Sequence, residues 1–75
     1  MRRLEDLIIV WRNLRREGVV EILEGKLMLR VSKQIGGCSP KLLKESIESM
    51  EMFEMVTSIH KKPSVYRVNS VVEGI

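Results

Sequence analysis

The chain has 75 residues, room for one domain with a thin core and no room for a second. One cysteine and one histidine exclude an internal disulfide and a structural zinc site, and no cofactor is implied. Hydrophobic residues at 44% and charged residues at 31% exclude a disordered chain and a membrane protein, while a net charge of +3 permits nucleic-acid binding without demanding it.

The first segment is amphipathic. Leu4, Leu7, Ile8, Trp11 and Leu14 recur at helical spacing, which predicts a helix over 3–16. Arg15 and Arg16 complement the dipole at its end, and Gly18 stops it. The longest apolar run, Leu7-Ile8-Ile9-Val10-Trp11, is far short of the roughly 20 residues that cross a bilayer. The N-terminus is basic at Arg2-Arg3, but acidic residues follow at once without a small-residue cleavage site. A cytoplasmic location is expected, or the nucleoid if the source is a prokaryote.

Val19-Val20-Glu21-Ile22-Leu23 is short and β-branched, as suits a strand over 19–23. Residues 25–35 admit two readings. Leu27, Met28, Val31 and Ile35 fit one helical face, with Lys26, Arg30, Lys33 and Gln34 mostly on the other. The alternative is a hairpin with 19–23, turning at Glu24-Gly25. The helix is preferred because Glu-Gly is a poorer hairpin turn than Asn-Gly, although no Ser, Thr, Asp or Asn stands ready as a cap.

Gly36-Gly37-Cys38 breaks the pattern, and Ser39-Pro40 opens a new helix with a serine cap and a proline at its first position. Leu43, Ile47, Met50 and Phe53 form its apolar stripe, opposite Lys41, Lys44, Glu45, Glu48 and Ser49, so it should run over 40–53. Residues 55–60 and 65–69 read as a hairpin joined by Lys61-Lys62-Pro63-Ser64, with Tyr66 and Val68 on one face of the second strand. The tail Val71-Val72-Glu73-Gly74-Ile75 is either frayed or a cover for an apolar partner surface.

The order is helix, short strand, helix, tight turn, helix, hairpin. With Ser39-Pro40-Lys41-Leu42-Leu43-Lys44-Glu45-Ser46-Ile47, then Met50, Phe53, Met55-Val56 and Val65-Tyr66-Arg67-Val68, the sequence resembles the winged helix-turn-helix family of DNA-binding domains over residues 4–69. Small archaeal regulators and those of archaeal viruses or plasmids look similar in size and composition. A viral or plasmid-encoded member would act in the host cytoplasm. The chain has Glu54 where the family often has glycine, and its third helix is unusually acidic.

The resemblance implies an α+β winged helix-turn-helix fold, double-stranded DNA as the partner, and a transcriptional regulator as the function. The helix from Pro40 would lie in the major groove with its N-terminal turns nearest the bases. Its dipole end favours phosphate near Ser39, Lys41 and Lys44 can reach phosphates or guanine edges, and Glu45 can accept from a cytosine amino group. Leu42 can touch a thymine methyl if it is not a core residue. Lys61 and Lys62 mark the wing tip, which would follow the DNA backbone or the minor groove. Arg67 on the outer strand face and Arg30 and Lys33 on the second helix are further candidates for phosphates.

A homodimer on a two-fold site is expected, through Ile9 and Val10 or through Val71-Val72-Ile75. A protein-interaction module that keeps the winged fold without DNA binding is the alternative, favoured by the acidic third helix. An enzyme is not expected: there is no glycine-rich phosphate loop, no metal-ligand cluster and no nucleophile with a spaced base. No small-molecule ligand is evident.

Overall fold

The structure, a computed structural model, describes residues 3–37 and 39–70. Its elements follow in the order α1 (Arg3–Arg16), β1 (Glu21–Leu23), α2 (Glu24–Ile35), α3 (Pro40–Met52), β2 (Val56–Lys61) and β3 (Ser64–Val68). The strands form one antiparallel sheet in the order β1-β3-β2, so the described residues make a small α+β domain. The expectations for Arg2, Cys38 and the 71–75 tail fall outside the described residues.

Local chemistry sets the helix ends. α1 carries Glu5 and Asp6 in its first turn and Arg15 and Arg16 in its last, both matched to the dipole. It closes at Gly18, whose φ of 77° is left-handed, with Val19 N–H donating to Leu14 C=O at 3.0 Å. That bond holds Val19 in the helix cap, and β1 accordingly begins at Glu21 and not at Val19.

Residues 24–35 are helical, so β1 does not fold back on the segment that follows it. It pairs instead with β3, placing Glu21 opposite Arg67, Ile22 opposite Tyr66 and Leu23 opposite Val65. As the sequence suggests, α2 starts without a side-chain cap; Leu23 holds that position. It ends at Gly36, where Gly36 and Gly37 N–H both donate to Ser32 C=O at 2.9 Å.

At the start of α3, Ser39 Oγ accepts from Leu42 N–H at 3.2 Å, and Pro40 occupies the first turn. The helix stops one residue earlier than its periodicity predicts, with Phe53 as the cap and Glu54 at a φ of 61°. Met55 N–H then reaches back to Met50 C=O at 2.9 Å, closing the same motif that ends α1. The hairpin after it has a bulge at Ile59, between Ser58 and His60, and a cis Lys62–Pro63 peptide in its turn.

The core joins all six elements: Leu7, Val10 and Leu14 from α1, Leu27 and Val31 from α2, Ile47 and Met50 from α3, and Ile22, Val56, Tyr66 and Val68 from the sheet, with Met55 between α3 and β2. Three sequence assignments change here. Val10 is buried, not part of an exposed patch, because α1 packs against α2 on that side as well as against α3 and the sheet. Leu4 and Phe53, read as stripe residues, are 39% and 37% exposed because each lies at a helix end beyond its packing partners.

Candidate nucleic-acid interface

The cap at Ser39 fixes where α3 begins and therefore which side chains its first turns present. Lys41, Lys44, Glu45 and Glu48 are exposed, and Leu42 is half-buried. Ser46 is fully buried, with its hydroxyl donating to Leu42 C=O at 2.8 Å, so it belongs to the packed side of the helix. The Ser39 hydroxyl oxygen already accepts from Leu42 N–H, which leaves its own O–H free to donate.

The hairpin turn displays Lys61, Lys62 and Pro63, all exposed. Two local bonds order it: His60 Nδ1 lies 2.9 Å from Pro63 C=O, and Ser64 Oγ donates to Lys61 C=O at 3.2 Å. Arg67 is also exposed, but alternation along β3 separates it from α3. Tyr66 and Val68 face the helices, and Arg67 faces the opposite side of the sheet, across from Glu21 and Thr57.

Arg30 is engaged within the chain. Its Nη1 donates to Glu17 Oε2 at 2.7 Å and its Nη2 to Glu17 Oε1, a bidentate pair between α2 and the end of α1. The hydrogen-bonded guanidinium holds the Glu17 carboxyl below its ordinary range, and the same bond raises Arg30. This is the one ion pair among the described residues, so Lys33, Lys41, Lys44, Lys61 and Lys62 carry no ion-paired carboxylate. Arg30 and Lys33 lie along the flank of α2 that borders α1, where they line a shallow cleft with Val10 and Asn13. Met28, on the opposite flank, faces α3.

Two features of the site carry no clear sequence signal. The first is a cleft of about 190 Å³ lined by Glu24, Met28, Lys44, Ile47, Glu48 and Tyr66. Tyr66 O–H donates to Glu24 Oε2 at 3.2 Å. Burial, and then the nearby Glu24 and Glu51 carboxylates, push the Tyr66 hydroxyl up to about 12. The sequence marks Tyr66 only as an inward aromatic, since its partner stands 42 residues away. The second is Asn69. Its side-chain amide donates to Glu54 C=O at 2.7 Å and to Thr57 Oγ1 at 2.9 Å, while its own carbonyl accepts from Trp11 Nε1 at 2.8 Å.

Among the exposed cations without an ion pair, Lys41 and Lys44 stand on the first turns of α3 and Lys61 and Lys62 at the hairpin tip. Carboxylates follow on the later turns of α3 at Glu48 and Glu51, both exposed. Among the described residues no group of three His, Cys, Asp or Glu side chains could hold a metal ion, and no helix is long and apolar enough to cross a membrane. Comparison with protein-family models, curated proteins and solved structures finds no match to the chain.

Proposed function

We propose that the chain is a winged helix-turn-helix domain that binds double-stranded DNA and regulates transcription. In this reading α2 and α3 are the helix pair, α3 enters the major groove by its N-terminal turns, and the β2–β3 hairpin is the wing. The observation that carries it is the exposure of Lys41 and Lys44 on α3 and of Lys61 and Lys62 at the hairpin tip, none of them in an ion pair. The element order and the β1-β3-β2 sheet support it.

Charge order along α3 limits how the helix can dock. Glu48 lies seven residues after Lys41, about 10 Å along the axis, which is roughly one Debye length at physiological salt. An approach by the N-terminal turns keeps Glu48 and Glu51 at the edge of the phosphate field. Glu45, one residue after Lys44, then stands where it can select a cytosine amino group. Arg30 is the weakest of the candidate contacts, because a phosphate must displace Glu17 from it. Arg67 would reach only a backbone that wraps toward the outer face of the sheet. A homodimer on a two-fold site remains part of the reading, with Ile9, 40% exposed on α1, available to an isologous interface.

Fluorescence anisotropy with a mixed-sequence duplex at low and moderate salt tests this reading. Affinity should fall with salt by about 0.9 in log–log slope for each phosphate neutralised. The K41Q/K44Q/K61Q/K62Q variant should lose binding while retaining its circular dichroism. Absence of binding at low salt rejects the DNA reading. A protein-interaction module is the second reading, and the specific observation that favours it is the acidic surface of α3 at Glu45, Glu48 and Glu51.

A further inference from the structure

The bulge in β2 decides which way the hairpin tip presents its side chains. Ser58 stands opposite Tyr66, so without the bulge His60 would share the face of the sheet that meets the helices. The extra residue, Ile59, instead sets His60 opposite Val65, on the outer face with Arg67. Lys61, opposite Ser64, stands on the face of Tyr66, and Lys62 lies in the turn. His60, Lys61 and Lys62 are all exposed, so the tip carries basic side chains on both of its faces.

The ring of His60 is held by one nitrogen. Its Nδ1 lies 2.9 Å from Pro63 C=O, and a carbonyl oxygen can only accept. Nδ1 therefore keeps its proton, and the neutral ring leaves a bare lone pair on Nε2. An anion cannot bond to that lone pair, but it can accept from Nε2–H once the ring gains a proton. Because Nδ1 donates in both forms, the gain changes Nε2 and leaves the ring in place. The charge around it is mostly positive. Lys61 and Lys62 adjoin it on the hairpin, and Arg67 of β3 shares its face, opposite Glu21 of β1. From α2, Glu24 and Lys26 border the turn at Pro63 and Ser64. The cations outnumber the two carboxylates, and among the described residues none of them is in an ion pair.

We propose that His60 is a further DNA contact: its protonated ring donates from Nε2 to a phosphate on the outer side of the hairpin, while Lys61 meets one on the other side. The inference rests on the DNA reading and adds to it a contact that takes up a proton. A phosphate favours the charged ring, so binding and protonation assist each other. Histidine changes charge between pH 5 and 8 and lysine does not, so this contact strengthens as pH falls while the lysine contacts stay constant. A hairpin with basic groups on both faces suits the minor groove, which has a phosphate backbone along each side. Without the extra proton, Nε2 can only accept, and guanine N2 is the one base donor in that groove. The basic neighbours favour phosphate over that contact.

Anisotropy with a mixed-sequence duplex at about pH 8 and about pH 5.5, each over a range of salt, provides the test. The unaltered chain should bind about three- to tenfold tighter at the lower pH, with a log–log salt slope steeper by about 0.9. His60→Asn puts an amide nitrogen where Nδ1 stands, which keeps a donor for Pro63 but leaves no outer nitrogen to protonate. This variant should match the unaltered chain at the higher pH and lack the gain at the lower one. A gain shared by both chains belongs to the α3 carboxylates and is subtracted. If His60→Asn disturbs the hairpin, the ring Cε1–H resonance of the single histidine reads the same proton by NMR, and its titration should move to higher pH on the duplex. Equal pH dependence in the two chains, or an unmoved resonance, overturns the proposal and leaves the DNA reading intact. Tighter binding by the unaltered chain at the higher pH also overturns it, assigning Nε2 to a guanine amino group instead. Absence of binding at both pH values in low salt rejects the DNA reading and this contact together.

Discussion

Asn69 ties three parts of the chain through one side chain and its own backbone. It bonds Trp11 of α1, the Glu54 carbonyl after α3, and Thr57 of β2. An amide suits this position because its NH2 supplies two donors to two acceptors. Tyr66 has a different dependence, on pH. Its hydroxyl sits near 10 in the unfolded chain and about 12 in the fold, so the folded state retains the proton more tightly. The associated stability is present in full below about pH 10 and is lost as pH rises from there toward 12, to a total of about 2–3 kcal/mol. Because the chain has a single tyrosine, tyrosinate absorbance reads this group alone. Native protein should ionise well above the denatured chain, and coincident titrations would show that burial and the carboxylates do not act on it. Tyr66→Phe should remove this part of the alkaline loss seen in urea melts.

Helix α3 is held at both ends by local bonds, but its two ends differ in quality. Ser39-Pro40 is a favourable start, whereas Glu54 at the other end adopts a φ of 61°, which an L side chain enters at a cost of roughly 1–2 kcal/mol. Glycine enters that region freely, although it also gains freedom in the unfolded chain. Glu54→Gly should therefore stabilise the domain by about 0.5–1 kcal/mol, which for this size raises the melting temperature by a few degrees. The backbone carbonyl that accepts from Asn69 is retained in the variant. A calorimetric scan showing an unchanged or lower midpoint would refute this account of the helix end. The hairpin follows directly from Glu54, so any change of direction there also re-aims Lys61 and Lys62 relative to Lys41 and Lys44.

A domain of 75 residues has little stability in reserve, on the order of 4–11 kcal/mol at ordinary per-residue values. Its core is one cluster shared by all six elements, with no disulfide to assist it. Leu27 is fully buried in that cluster. Leu27→Ala should cost about 2–5 kcal/mol, a large part of the total, and urea unfolding should show a much lower midpoint with an unchanged slope. A loss below about 1 kcal/mol would mean that the cluster relaxes around the gap, contrary to the close packing described above.

Short-range chemistry determined much of this protein from the sequence alone. Gly18, Gly36 and Ser39-Pro40 place helix ends because a cap needs only residues within one turn of each other, and Lys61-Lys62-Pro63 marks the hairpin turn for the same reason. The alternation that turns Tyr66 inward and Arg67 outward is equally local. Tertiary structure decided what depends on distant partners. β1 pairs with β3 across more than 40 residues, Arg30 is occupied by Glu17, and Tyr66 meets Glu24. Val10 is core because α1 has neighbours on two sides, while Leu4 and Phe53 extend past theirs. A helical period reports that a face is apolar, but only the packed elements decide how wide that face must be. For the candidate site, Lys41, Lys44, Lys61 and Lys62 were legible as exposed cations because lysine is costly to bury. Which of the other basic residues are free was not legible, because ion pairs form across space and leave no mark in local sequence.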